Sequence, residues 1–372
     1  MKGWYEDHTA KPIPEHEVAR KMEWDHGISL IQLAAVILIV LSSVPSILFD
    51  EHEWNEVSGS IWRASAIVLL CSIGRLNRIS WERWIARIPS VAGFYSYRVR
   101  RLAPVHILSI ALVLASGSLL AFMGIGDGPD IEGALQSLIP LMPSDYAADT
   151  NPAWFILQAC LVGVLTIPIL SAIPGVGKVL LLGTWGGVIA ILSPTSGPWA
   201  TSLIFVTAYM AGAGINIQTP WIQSPFAKIL ITLAGLGLLI SGQQVALKNG
   251  YGLIGGLITV VGSLLMLEGL RRVRLIKGAD CQILYPLLLF HYPIYSFLAA
   301  IGMSGSAGAV TGITAALALS LIISSKAEIP ALTQRRARIS MTQRAMISIH
   351  KEEQFELSSH PKKYDNRGPE EK

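Results

Sequence analysis

The chain has 372 residues, 52% of them hydrophobic and only 15% charged, with a formal net charge of +4. A soluble globular domain carries about a quarter charged residues, so a water-soluble main body is excluded, and so small a positive charge implies no nucleic-acid partner. Charge is nearly absent from blocks of about 17–25 residues, the length that crosses a hydrocarbon core of about 30 Å.

In chain order, residues 1–27 are polar and of mixed charge and read as a cytoplasmic segment. The first apolar run, Ile28–Phe49, is too long for a signal-peptide core and reads as a retained anchor. Loop 50–58 holds Asp50, Glu51, Glu53 and Glu56 and no Lys or Arg. A second run, Gly59–Leu76, carries Arg63 near its start, where a long side chain can snorkel to the surface. The loop after it is basic: Arg75, Arg78, Arg83, Arg87, Arg98, Arg100 and Arg101. The third run, Leu102–Ile125, leads into loop 126–152, which again lacks Lys and Arg. Then follow Ala153–Ile173, Val176–Leu192, Trp199–Ile215, Ala227–Ser241 and Tyr251–Leu270. Arg271, Arg272, Arg274 and Lys277 come next, and Glu268 is expected to pair with Arg271 or Arg272. The last runs are Ile283–Met303 and Ser306–Ser325.

Only a helix satisfies every backbone group within one membrane-crossing segment. The expectation is therefore an all-α, polytopic membrane helix bundle of ten spans. With a cytoplasmic N-terminus, every Lys and Arg except Arg63 and Lys248 falls on the cytoplasmic side, which places both termini there and the protein in the plasma membrane. Trp54, Trp62, Trp81, Trp84, Trp154, Trp199 and Trp221 lie near helix ends, as an interfacial belt requires. The expected organisation is a segment 1–27, a membrane domain 28–325 and a basic tail 326–372. In that tail Arg335, Arg336, Arg338 and Arg344 alternate with Ile339, Met341, Met346 and Ile349, a pattern that suits an anionic lipid surface. Cys71, Cys160 and Cys281 have unrelated spacings, so no metal site or disulfide framework is expected.

Two stretches carry chemistry. In Phe94-Tyr95-Ser96-Tyr97-Arg98-Val99-Arg100-Arg101-Leu102-Ala103-Pro104, Arg98 and Arg101 share a helix face and could clamp phosphate or carboxylate; an inner-surface anchor is the simpler reading. In Tyr285-Pro286-Leu287-Leu288-Leu289-Phe290-His291-Tyr292-Pro293, a histidine lies at membrane depth. His106 is the second such histidine, five residues after Arg101, and a carbonyl-bonded structural role is the simpler reading for it.

Arg-x-x-Arg-Leu-x-Pro, Tyr-x3-Leu-x-His-x-Pro, Ala327-Glu328-Ile329-Pro330 and Pro152-Ala153-Trp154-Phe155 follow one another in the order found in a known family. The chain resembles the bacterial membrane acyltransferases that O-acetylate lipopolysaccharide and peptidoglycan sugars, over about residues 28–335. The resemblance implies acyl-CoA, most simply acetyl-CoA, as co-substrate, held by Arg98 and Arg101. It implies a hydroxyl of a glycan or lipid-linked sugar as acceptor, and no metal. It makes His291 a catalytic candidate and Trp154 and Tyr285 site-lining residues.

The family's first helix carries an Arg-x10-His pair; here Gln32 and Ser43 hold that spacing, and Ala159 stands where the family has Glu. A serine cannot act as a general base as an imidazole does, so His106 or His291 must replace it. Ser43 could serve as a nucleophile only beside a base, which the sequence does not display. A catalytically inactive scaffold and a small-molecule or lipid carrier are the alternative readings. Gln158 is expected to bond between helices, and Gly235, Gly237, Gly252, Gly255, Gly256 and Gly262 to permit close packing.

Overall fold

The structure, a computed structural model, describes residues 15–49, 52–85, 90–125, 128–139, 147, 150–174, 177, 181–182, 184–185, 198–215, 224–248, 253–270 and 283–324. It divides into two compact units, Met1–Ser320 and Leu321–Lys372. The expected tail 326–372 lies outside the described residues, and the expected span 176–192 lies mostly outside them.

Among the described residues the fold is entirely helical. Its helices are α1 (Glu15–Val44), α2 (His52–Ile85), α3 (Val91–Phe122), a short α4 (Ile131–Gln136), α5 (Ala153–Ala172), α6 (Pro198–Gly214), α7 (Pro225–Lys248), α8 (Leu253–Leu270) and α9 (Leu284–Ala300). A last helix, α10 (Gly305–Ser324), ends the described chain. Among the described residues six helices are long and apolar enough to cross a membrane, and three more, in α6, α8 and α9, are apolar but shorter. The outer face of α7 exposes Phe226, Ile229, Leu230, Leu233, Leu236 and Ile240, while Gln243 is buried. An apolar outside around a partly polar inside suits hydrocarbon as the surrounding solvent. The described part of the chain is that of an all-helical membrane protein.

Helices α1, α2, α3 and α7 exceed their apolar runs. Hydropathy places the start of the third span at Leu102, yet α3 begins at Val91, because the Ser90 hydroxyl caps it by accepting from the Gly93 amide at 3.0 Å. Likewise α2 runs on to Ile85, so Arg75 and Arg78 stand within a helix and not in a loop. Hydropathy registers the apolar turns of a helix but not its polar extensions.

Close backbone approach holds the bundle together. On α7, Gly235 and Gly242 are two turns apart, as are Gly255, Gly262 and Gly269 on α8. A Cβ on Gly235 would lie 2.7 Å from the Gly262 carbonyl oxygen, and one on Gly242 would lie 2.7 Å from that of Gly255. The rising number on one helix meets the falling number on the other, so the pair is antiparallel with small residues along its seam. Gly256 meets Ile204 of α6, whereas Gly237 faces open space.

The contact of α2 with α6 is closer still. A Cβ at Gly212 would lie 2.0 Å from the Cys71 carbonyl oxygen, and one at Gly74 would lie 2.1 Å from that of Tyr209. Gly212→Val is therefore expected to push the helices apart at a cost of about 1–3 kcal/mol. The readout is thermal unfolding of the detergent-solubilised protein, with Gly237→Val as the control that meets nothing.

One pair of opposite charges is joined across the bundle. Arg75 of α2 and Glu268 of α8 are buried and form a salt bridge. Glu268 was expected to pair with Arg271 or Arg272, which lie outside the described residues. Long-range packing supplies a partner that sequence spacing does not reveal. Arg63 lines a crevice between α2, α6, α7 and α8, together with Thr201, Phe205 and Gln243.

Candidate functional site

Helix α9 packs against α1, α3 and α5, and it organises the site through two residues.

The first is His291. Its ring has no exposed surface, and Ser43 of α1 is only 3% exposed. Nε2 of His291 lies 3.2 Å from the Ser43 hydroxyl oxygen, and Nδ1 lies 3.2 Å from the Leu287 carbonyl oxygen one turn back on α9. A carbonyl can only accept, so Nδ1 carries the proton and donates to Leu287. Nε2 is then a lone pair aimed at the Ser43 hydroxyl. That hydroxyl has one proton and two acceptors, because the Ile39 carbonyl oxygen also lies 2.9 Å away. The structure thus brings together two sequence candidates separated by 248 residues.

The second is Pro293. Proline has no amide proton, so inside α9 it leaves the carbonyl four residues earlier without its helical donor. That carbonyl belongs to Leu289, and it accepts from the Ser109 hydroxyl at 3.1 Å and from Asn151 Nδ2 at 3.0 Å. The indole Nε1 of Trp154 donates to Ser109 at 3.0 Å. Asn151 Oδ1 also accepts from the amide of Ala153, the first residue of α5, at 3.2 Å. A proline-made gap in one helix is therefore filled from α3 and from the start of α5. Ser109 and Asn151 escaped the sequence reading. The signals for them were Pro293, which marks an orphaned carbonyl, and the Asn-Pro pair, which marks a helix start.

His106 lies one turn before Ser109 on α3, buried, with its ring edge-on to Trp154 at 6.0 Å. Its Nε2 donates to the Ser137 carbonyl oxygen at 3.1 Å, and Gln158 Nε2 donates to the same oxygen at 3.3 Å. The bond expected of Gln158 joins α5 to the segment beyond α4. Neither His106 Nδ1 nor Gln158 Oε1 has a hydrogen-bond partner among the described residues. Both are buried acceptors.

Ser137 belongs to the stretch expected to be an external loop. Part of it lies along α3: Pro129 packs beside Gly117, and the Ser137 carbonyl reaches His106. Those two α3 positions are eleven residues, about 16 Å, apart. Ala134, Ser137 and Asn151 have no exposed surface. Non-helical backbone within a membrane bundle is tolerated when protein covers it and satisfies its polar groups. Here Asp130 caps α4 through the Gly133 amide at 2.9 Å.

Arg98 and Arg101 lie near the start of α3, three and two turns before Ser109. Arg98 is half-buried; its guanidinium carbon lies 5.2 Å from the Phe94 ring centroid and 5.8 Å from that of Tyr97. Its Nε has no hydrogen-bond partner among the described residues. Arg101 is exposed. The two arginines are stepped, one toward the bundle and one toward solvent. The Tyr285 hydroxyl, at the start of α9, is also buried without a partner among the described residues. Gln32 is buried on α1, eleven residues before Ser43. Eleven residues are close to three full turns, so the two share a face but stand about 16 Å apart.

No family model, curated protein or solved structure matches this chain.

Proposed function

We propose that the chain is a membrane acyltransferase that moves an acyl group, acetyl in the simplest case, from acyl-CoA to a hydroxyl of a glycan or lipid-linked sugar. The observation that supports this reading best is the imidazole held by Leu287 with its free nitrogen 3.2 Å from Ser43. That is the arrangement of a general base: one nitrogen fixed by an acceptor, the other presented to a hydroxyl. In this scheme Arg98, with Arg101 behind it, meets the anionic phosphates of CoA at a cationic mouth. His106 Nδ1 and Gln158 Oε1, two buried acceptors, suit a donor hydroxyl of the acceptor sugar. Trp154 and Tyr285 complete the lining.

The proposed topology has ten spans in the plasma membrane with both termini in the cytoplasm, which puts the start of α3 and its arginines on the side where CoA is found. The six long and three shorter apolar helices account for nine of those spans. The proposed tenth, 176–192, lies mostly outside the described residues.

The competing reading is a scaffold that binds but does not turn over. One observation favours it: no surface of His291 is exposed, so a thioester reaches the pair only if the helices around it open. Purified protein in nanodiscs with acetyl-CoA and a panel of glycan and glycolipid acceptors separates the two by release of free thiol. Acyl transfer predicts steady release. Loss of one or two charge-assisted hydrogen bonds, worth about 1.5–3 kcal/mol, predicts a KM about 10- to 100-fold higher in Arg98→Ala. Binding of acetyl-CoA without release supports the scaffold. Release indifferent to Arg98→Ala would remove the proposed mouth.

A further inference from the structure

We propose that Ser43 is an acyl carrier, so that transfer proceeds in two half-reactions through an ester on its hydroxyl oxygen. The proposal rests on the acyl-transfer reading above and deepens it. A base that acts directly on an incoming acceptor hydroxyl needs no protein hydroxyl in front of it. Here the position facing Nε2 is already filled by a serine, which is buried and held at 2.9 Å by Ile39 and at 3.2 Å by His291. A nucleophile, a base and a group orienting that base are the minimum for covalent acyl transfer. Ser43, His291 and the Leu287 carbonyl supply them in order.

Two further observations fit. The Tyr295 hydroxyl, one turn beyond His291 on α9, is fully buried and has no hydrogen-bond partner among the described residues. Its ring packs edge-on to that of His291 at 5.6 Å. An orphaned phenol beside a nucleophile–base pair is suited to donate to the oxyanion of a tetrahedral intermediate. Secondly, α1 passes into a π-helical turn, Pro45–Phe49, two residues after Ser43. Such turns are rare and often mark functional positions. Pro45 also deprives the Leu41 carbonyl of its helical donor, loosening the turn that carries Ser43.

The chemistry balances without a further reactant. In the first half-reaction the Ser43 hydroxyl proton passes to His291 Nε2 as the oxygen attacks the thioester carbonyl. The tetrahedral intermediate collapses, the carbon–sulfur bond breaks, and the CoA thiolate takes the proton from Nε2. An acyl ester remains on Ser43. In the second half-reaction the acceptor hydroxyl gives its proton to Nε2 and attacks that ester. The bond to Ser43 breaks and its oxygen recovers the proton.

The test uses the full-length protein in nanodiscs with radiolabelled acetyl-CoA and no acceptor, quenched in denaturant and mapped by peptide mass spectrometry. The expected result is label on the peptide containing Ser43, stable to neutral hydroxylamine. A thioester on Cys71 or Cys160 would not survive that treatment. Ser43→Ala should lose the label. Ser43→Cys, which keeps a nucleophile in place, should carry it in hydroxylamine-sensitive form; matching thermal unfolding of both variants with the parent excludes misfolding. In a second assay with glycan and glycolipid acceptors added, thiol release undiminished in Ser43→Ala, with no labelled peptide in the parent, overturns the covalent step and leaves direct acyl transfer standing. A parent protein that consumes neither acetyl-CoA nor octanoyl-CoA with those acceptors present overturns both.

Discussion

Glu268→Ala is expected to destabilise the bundle by about 3–5 kcal/mol, the usual cost of removing one partner from a buried ion pair. Both side chains are buried, with exposures of 6% for Arg75 and 4% for Glu268, so solvent cannot replace the missing carboxylate. The pair ties α2 to α8. The alanine variant should unfold at lower temperature in detergent and should lose proteolytic protection around α8. Replacing both partners together, as Arg75→Met with Glu268→Leu, should recover most of the loss, because a well-packed apolar pair costs no desolvation. Glu268→Gln should fall between the two, keeping a hydrogen bond but not the charge. Equal stability of Glu268→Ala and the parent would mean that Arg75 relaxes to water, and that this part of the bundle is wetter than its packing implies.

How much of this was legible in the sequence depends on the range of the interaction. Helical class and membrane character follow from local composition, and they hold. The seams of glycine on α7 and α8 were legible because small residues two turns apart can only define a face; Gly237 and Gly256 show that such a face is not every glycine nearby. Helix ends were not legible from hydropathy, since Ser90 starts α3 in a polar stretch. Least legible were pairings across the bundle. Ser43 was noted as lacking a visible base, because the base lies 248 residues away. The Arg75–Glu268 pair was hidden in the same way, behind a local partner of the right charge. The loop between α3 and α5 was expected outside because it lacks Lys and Arg; in its described part Ala134, Ser137 and Asn151 are buried while Ile131, Leu135 and Ile139 stay exposed. Absence of positive charge is permissive for burial as much as for export. The depth of Ser137 and Asn151 is set by acceptors and donors on three other helices.

His291→Gln is expected to reduce acyl transfer by about 10²- to 10⁴-fold, the usual contribution of a positioned general base. Glutamine can reproduce part of the hydrogen bonding to Leu287 and Ser43, but it cannot take a proton from a hydroxyl at neutral pH. The loss should therefore fall on kcat, with KM for acetyl-CoA changed little, because CoA would be held at the start of α3 and not at α9. A fall in kcat and kcat/KM together is the mark of an interaction made only in the transition state. Thermal unfolding of the variant distinguishes this from disruption: a purely structural histidine would lower stability and activity together, while a base would lower activity in a protein that melts near the parent temperature. His291→Ala is the less informative change, since it also strips the Leu287 carbonyl and the Ser43 hydroxyl of a buried partner, at about 1–3 kcal/mol for each group left unsatisfied. Turnover by His291→Gln within a few-fold of the parent would sink the base. It would also leave the bond between Ser43 and His291 as a link between α1 and α9 and nothing more.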